Sequence, residues 1–156
     1  MCEPLSESLS KDMTKFTNIT LQHITREQAI INLMTHDSMY KALCLDSPEQ
    51  VMDTNLSFYA ICLDSIPIGF MAFKPYTINY TEFHGGLYKK YRHNNTIEMF
   101  KQCLDQYRKE HHTTFITCIP STNKAVIQVV LKAGFKHKTT LYSAFENVDL
   151  EIYAEK

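Results

Sequence analysis

The stretch Asn123-Lys-Ala-Val-Ile-Gln-Val-Val-Leu-Lys-Ala-Gly-Phe135 decides how this chain folds. From Thr122 to Ala133 it is a largely apolar helix, and Gly134 directly after it is a natural residue for the left-handed turn that closes a helix C-terminus. Immediately upstream, Thr113 to Ile119 is a short apolar run rich in β-branched residues and stopped by Pro120. A strand apolar on both faces that feeds an equally apolar helix belongs inside a layered α/β domain.

One step further upstream, Ile97, Phe100, Cys103, Leu104 and Tyr107 fall on one helical face, with Glu98, Lys101, Asp105, Arg108 and Lys109 on the other. This spacing predicts an amphipathic helix from Ile97 to about Glu110. Lys89, Lys90 and Arg92, then Asn94 and Asn95, lead into it. A strand, a basic turn and a helix N-terminus are the ingredients of an anion site, because first-turn amides lack internal partners and carry partial positive charge. The alternative is a solvated loop in which Asn95 and Glu98 form only a capping box.

The rest of the chain reads mainly as strands. Leu56 to Leu63 and Ile66 to Phe73, separated by Asp64-Ser65, form a β-hairpin pattern that ends at Pro75. Thr77 to about Tyr88 is strand-like, and its Gly85-Gly86 pair predicts a bulge or a close backbone approach. Phe16 to Ile24 makes a first strand. Thr25 and Gln28 then fit a capping box ahead of a helix carrying Ala29, Ile30, Leu33 and Met34. A second short helix is expected over Ser38 to Leu45, with a break at Ser47-Pro48 and a loop to Asn55. Lys138 to Phe145 and Val148 to Tyr153, joined at Glu146-Asn147, close the chain as an antiparallel hairpin. Residues 1–15 are polar, with three serines in the first ten, and read as a mobile lead-in to a domain spanning 16–156.

Composition narrows the function. At 156 residues the chain suits a single domain, and 44% hydrophobic with 21% charged residues is ordinary globular usage. A net charge of −1 provides no general field for nucleic acid or an anionic membrane, so any anion site is local. Five scattered cysteines without paired CxxC spacing argue against a disulfide framework or a metal site and fit a reducing cytoplasm. The charged N-terminus does not match a signal peptide, and nowhere do ~18 apolar residues run together as a membrane span requires.

Asn123, Lys132, Gly134 and Phe135 stand at the spacing of the last signature of the GNAT superfamily of acyl-CoA N-acyltransferases, and the order of elements from Phe16 to Tyr153 also resembles that fold. The resemblance implies a single α/β (α+β) domain with a mixed, mostly antiparallel central sheet flanked by helices. Its fourth and fifth strands would splay apart around acetyl-CoA, and Gly85-Gly86 would supply the bulge that many members carry. It implies that Arg92, the amides around Asn94, Asn95 and Thr96, and Asn123 hold the cofactor, with backbone amides near Leu87 holding pantetheine and polarising the thioester. His84, Gly85, Leu87, Tyr91, Arg92, Ile119-Pro120 and Asn123 are also similar to small acetyltransferase-like proteins of tailed phages, which bears on origin rather than function. Two positions depart from the family pattern. Asn95 and Ile97 replace the small residues of the pyrophosphate loop, and Val130 stands where many members have a tyrosine that protonates the departing thiolate.

For a base, period-two alternation puts Tyr80, Glu82 and His84 on one strand face, and both Glu82 and His84 have suitable chemistry. His84 is the first candidate, since imidazole titrates near neutrality. The competing assignment is a salt-bridged surface glutamate and a hydrogen-bonded strand histidine. His111-His112 reads as a helix C-terminal cap, Cys118 as a packed thiol, and Phe70, Phe73, Tyr76 and Tyr80 as core or acceptor-pocket aromatics. The leading function is transfer of an acetyl group from acetyl-CoA directly to an amine of a protein or small molecule. The rivals are a catalytically silent protein of the same fold, and a binder of another phosphorylated ligand through Lys89 to Thr96.

Overall fold

A computed structural model of the chain describes residues 18–35, 55–92, 96–145 and 147–156. The expected lead-in, the helix over Ser38 to Leu45, the loop that follows it, and Asn94 and Asn95 lie outside the described residues. The elements run β1 (Ile19–Ile24), α1 (Arg26–Thr35), β2 (Ser57–Leu63), β3 (Ile66–Pro75), β4 (Tyr80–Leu87), a 3-10 turn (Lys89–Tyr91), α2 (Thr96–Glu110), β5 (Thr114–Pro120), α3 (Lys124–Lys132), β6 (Lys136–Phe145) and β7 (Val148–Ala154).

The seven strands form one sheet in the order β1-β2-β3-β4-β5-β7-β6. Every neighbouring pair is antiparallel except β4 and β5, which are parallel because the chain crosses between them through α2. The local chemistry of the ends matches their sequence. At the start of α1 the Gln28 amide donates to Thr25 Oγ1 at 3.1 Å, and the Thr25 amide donates to Gln28 Oε1 at 2.9 Å, which makes the reciprocal capping box. Asp64 and Ser65 turn the β2–β3 hairpin with φ of 50° and 68°, the backbone that a two-residue turn of this hand needs.

Two apolar layers cover the sheet. Phe73, Phe83 and Phe115 belong to the larger cluster, together with Met99, Cys103, Leu104 and Tyr107 of α2 and Ile127 and Val130 of α3. The smaller cluster joins Ala29 of α1 to Leu56, Phe58, Phe70 and Ala72 on the opposite face. The α2 stripe differs from its sequence reading at one turn: Met99 is buried, whereas Ile97 is only partly covered. Gln106 of α2 also closes polar groups of edge strand β1, accepting from the Leu21 amide at 2.9 Å and donating to the Ile19 carbonyl.

Gly134 has φ of +99°, and nothing lies within 4 Å of where a Cβ would sit. The residue is therefore needed for backbone freedom rather than for space. Its left-handed turn lets the Phe135 amide donate to the Val130 carbonyl at 3.0 Å and sends the Phe135 ring into the core. Replacing Gly134 with valine is expected to cost on the order of 1 kcal/mol or more in denaturant unfolding, because a β-branched side chain is strained at this φ. A change within ±0.3 kcal/mol, at about the scale of a neutral surface substitution, would show that the turn carries no such strain.

The Gly85-Gly86 pair does not form a bulge. Pairing between β3 and β4 runs without interruption from Gly69↔Leu87 to Pro75↔Thr81, and the register shift in this part of the sheet lies instead between β2 and β3 at Ile61 and Cys62. What Gly85 provides is close approach, since a Cβ there would stand 2.6 Å from the Phe70 carbonyl oxygen and 2.9 Å from Met71 Cγ.

Candidate active site

The parallel pairing of β4 with β5 lasts only three residues, Tyr80↔Thr114, Thr81↔Phe115 and Glu82↔Ile116. Beyond it β4 continues to Leu87 and β5 to Pro120 without further pairing, so the strands splay. Thr117 bridges the fork, its buried hydroxyl donating to the Phe83 carbonyl at 2.8 Å. The gap opens into a cleft of about 660 Å³, within the usual size of a ligand pocket. Met99 and Phe100 of α2 and Val126, Val129 and Val130 of α3 form an apolar wall, while His84 and Cys118 border the cleft from the other face of the sheet.

The backbone of β4 adds polarity. The Tyr88 amide donates to the Ile68 carbonyl of β3 at 2.9 Å. Alternation along an antiparallel ladder then turns the backbone groups of Gly86 and His84 toward β3 and those of Gly85 and Leu87 the opposite way, into the fork that β5 has left. The Leu87 carbonyl is taken by Arg92, whose Nε donates to it at 2.9 Å. The amides of Gly85 and Leu87 remain aimed at the cleft.

Leu87, Arg92, Thr96 and Asn123 all border this cleft, from four separate parts of the chain. Asn123 also caps α3, its Oδ1 accepting from the Val126 amide at 3.4 Å. Thr96 begins α2, so the N-termini of both helices open on the same space. Val130 lines the cleft and is only 1% exposed, and its side chain has no proton to give.

His84 is 4% exposed and faces the cleft. Its Nε2 bonds Glu82 Oε2, and Glu82 Oε1 accepts from the Tyr76 hydroxyl. The two residues read from the sequence as alternatives are thus physically joined. A neutral His84 carries its proton on Nε2, since the carboxylate can only accept there, and this leaves Nδ1 as the basic nitrogen. Burial pushes the Glu82 carboxyl up, but the His84 bond and charge, the Tyr76 hydroxyl and the Lys74 ammonium together outweigh it and hold the group below its ordinary value.

Several sequence readings change here. Phe70 and Phe73 belong wholly to the core, where Phe73 stacks on Tyr107 at 3.8 Å, so of the four aromatics only Tyr76 and Tyr80 are accessible. Cys118 is half-buried on the cleft wall rather than packed in the core. Tyr76 as a partner of Glu82 was not anticipated, although its position after Pro75 in a tight β3–β4 turn was the available signal. His111 does act as a cap: its Nδ1 donates to the Tyr107 carbonyl at 3.2 Å and its ring stacks on Tyr107. Among the described residues no three His, Cys, Asp or Glu side chains are grouped to hold a metal, and no helix is long and apolar enough to cross a membrane.

No protein-family model matches this sequence, and no curated protein does so either. Solved structures match it closely in fold. A GNAT family acetyltransferase from Elizabethkingia anophelis, solved with acetyl-CoA bound, superposes with a TM-score of 0.70 at 13% identity, over 90% of this chain and 99% of that one. The Salmonella typhimurium acetyltransferase that modifies the N-terminal serine of ribosomal protein L7/L12 gives 0.67 at 15% identity, over 88% and 94%. Spermidine N-acetyltransferase from Vibrio cholerae, a dodecamer, gives 0.68 at 13% identity, over 88% and 93%. The fold of the chain is therefore that of the GNAT acetyltransferases, while none of these three structures answers to the narrower likeness to tailed-phage proteins.

Proposed function

We propose that this GNAT-fold chain is a cytoplasmic N-acetyltransferase that moves an acetyl group from acetyl-CoA directly to an amine of a protein or small molecule. The observation that carries the reading is the joined Glu82–His84 pair at the fork where two β4 amides face the cleft. The residues suit the ligand: an apolar wall for a pantetheine arm, two helix N-termini and Arg92 for phosphates, and an open fork for the thioester.

Acetyl-CoA supplies the activated acetyl thioester. The amides of Gly85 and Leu87 donate to its carbonyl oxygen and stabilise the negative charge that develops there during attack. Arg92, Thr96 and Asn123 hold the phosphate end, together with the amides at Asn94 and Asn95. His84 Nδ1 takes the proton of the acceptor amine while Glu82 holds the opposite nitrogen and balances the imidazolium charge. Since Val130 offers no proton, the departing sulfur is protonated by water, or leaves as the thiolate of a thiol with an ordinary pKa near ~8.5.

Calorimetric titration with acetyl-CoA, CoA and ATP tests the binding half, and mass spectrometry for acetyl-CoA-dependent modification in a cell lysate tests the transfer. Replacing Arg92 with glutamate is expected to weaken acetyl-CoA binding about ten-fold or more, in line with the ~1.5–3 kcal/mol that a hydrogen bond to a charged group contributes. Unchanged affinity in the folded variant would take this loop out of the site. Val130 favours a second reading, a protein that binds acetyl-CoA without transferring the group; titration with tight binding but no modified product would select it.

A further inference from the structure

We infer that Tyr76 is a positioning residue for the proposed transfer, holding Glu82 and through it His84 in a hydrogen-bonded chain that runs along one sheet face from the protein surface to the cleft. The inference rests on the acetyl-transfer reading for its role in turnover, and on geometry for the chain itself.

Tyr76 is 54% exposed, so its ring is not there to fill the core. Its place is nonetheless fixed by a closed turn. The Tyr76 and Thr77 amides both donate to the Tyr80 carbonyl, at 2.9 and 3.3 Å, and Thr77 Oγ1 accepts from the Asn79 and Tyr80 amides, each at 3.1 Å. From this turn the phenol reaches Glu82 Oε1, while the other carboxylate oxygen bonds His84 Nε2. With each oxygen engaged by a different partner, the carboxylate has one orientation, and His84 has one tautomer.

The electrostatics agree. Burial, and then the bond to Glu82 and its charge, push the Tyr76 phenol up, so it stays a donor through the neutral range. The same bond is one of the contributions that hold Glu82 low. Lys74 from β3, in register with Glu82, and Cys118 from β5, beside Tyr76, face this chain of groups, and Lys74 is the cation of the two. Lys74 Nζ also stands over the Tyr76 ring, 5.3 Å from its centroid, a cation–π contact that ties the ring to β3.

The test is Tyr76→Phe, which keeps the ring and removes the donor. Carbon-13 titration of the Glu82 carboxyl in the full chain is expected to show its midpoint moving upward by about one pH unit, the size of a lost charge-assisted hydrogen bond. Tyr80→Phe, on the same strand face, leaves that midpoint in place. In turnover the variant is expected to lower kcat about three- to ten-fold, with the acid limb of the pH–rate profile moving up in step and the KM for acetyl-CoA unchanged. A Glu82 midpoint that does not move overturns the chain. A midpoint that moves in the variant, while the wild-type protein binds acetyl-CoA but transfers nothing, keeps the hydrogen-bonded chain and overturns the role in turnover together with the acetyl-transfer reading. A rate loss with no movement of the acid limb overturns positioning in favour of a merely structural tyrosine.

Discussion

Replacing His84 with alanine is expected to lower kcat by about 100-fold while leaving acetyl-CoA affinity little changed. The split follows from where the ring stands. His84 borders the fork from the sheet face that carries Glu82 and Tyr76, whereas Arg92, Thr96 and Asn123 approach the cleft from the helix N-termini. Removing the imidazole takes away the base and leaves the phosphate end intact. Glu82→Gln has the smaller effect, because an amide oxygen still accepts from Nε2 and keeps the tautomer while only the charge is lost. The pH dependence sharpens this result. In the alanine variant the largest of the bonds that offset burial of Glu82 is gone, so its carboxyl rises and residual activity that depends on the carboxylate falls away at higher pH than in the parent. Steady-state acetylation rates across pH, with calorimetric acetyl-CoA titration alongside, measure both halves. A larger loss for Glu82→Gln than for His84→Ala would transfer the role of base to Glu82.

Phe83→Ala is expected to cost about 3–5 kcal/mol in urea unfolding, the range for deleting a buried aromatic ring. Phe83 is 3% exposed and sits on β4 at the fork itself. Its ring meets Phe100 of α2 at 5.2 Å, Phe135 after α3 at 5.6 Å and Phe115 of β5 at 5.8 Å between centroids, the last two edge to face. The cavity left by its removal would therefore open between all three elements that frame the cleft, and acetyl-CoA affinity should fall together with stability. Phe83→Leu refills most of the volume and is expected to recover more than half of the loss. If Phe83→Ala cost less than about 1 kcal/mol, the surrounding rings would have collapsed into the space, and the fork would owe its shape to something other than this cluster.

Much of the fold could be read from the sequence because it is decided within a few residues. The capping box of Thr25 and Gln28, the Asp64-Ser65 turn, the stop at Gly134 with its φ of +99°, and the hairpin closed at Asn147 with φ of 60° are each local backbone chemistry, and each stands where the pattern put it. Apolar periodicity located α2 and α3 for the same reason: a helix face is fixed by spacing alone. The sequence by itself therefore located the described strands and α-helices, these turns and the hairpins β2–β3 and β6–β7, while β4 begins at Tyr80 rather than Thr77. Only the tertiary structure decided how β4 meets β5, two strands separated by the whole of α2, and hence that pairing stops at Glu82↔Ile116 and a cleft begins there. It alone decided that Gly85 serves close packing against Phe70 and not a bulge, that Arg92 spends Nε on the Leu87 carbonyl, and that Tyr76, Glu82 and His84 form one chain. The physical reason is that a side chain's partners depend on register and on the directions of neighbouring strands, which spacing along one strand does not contain.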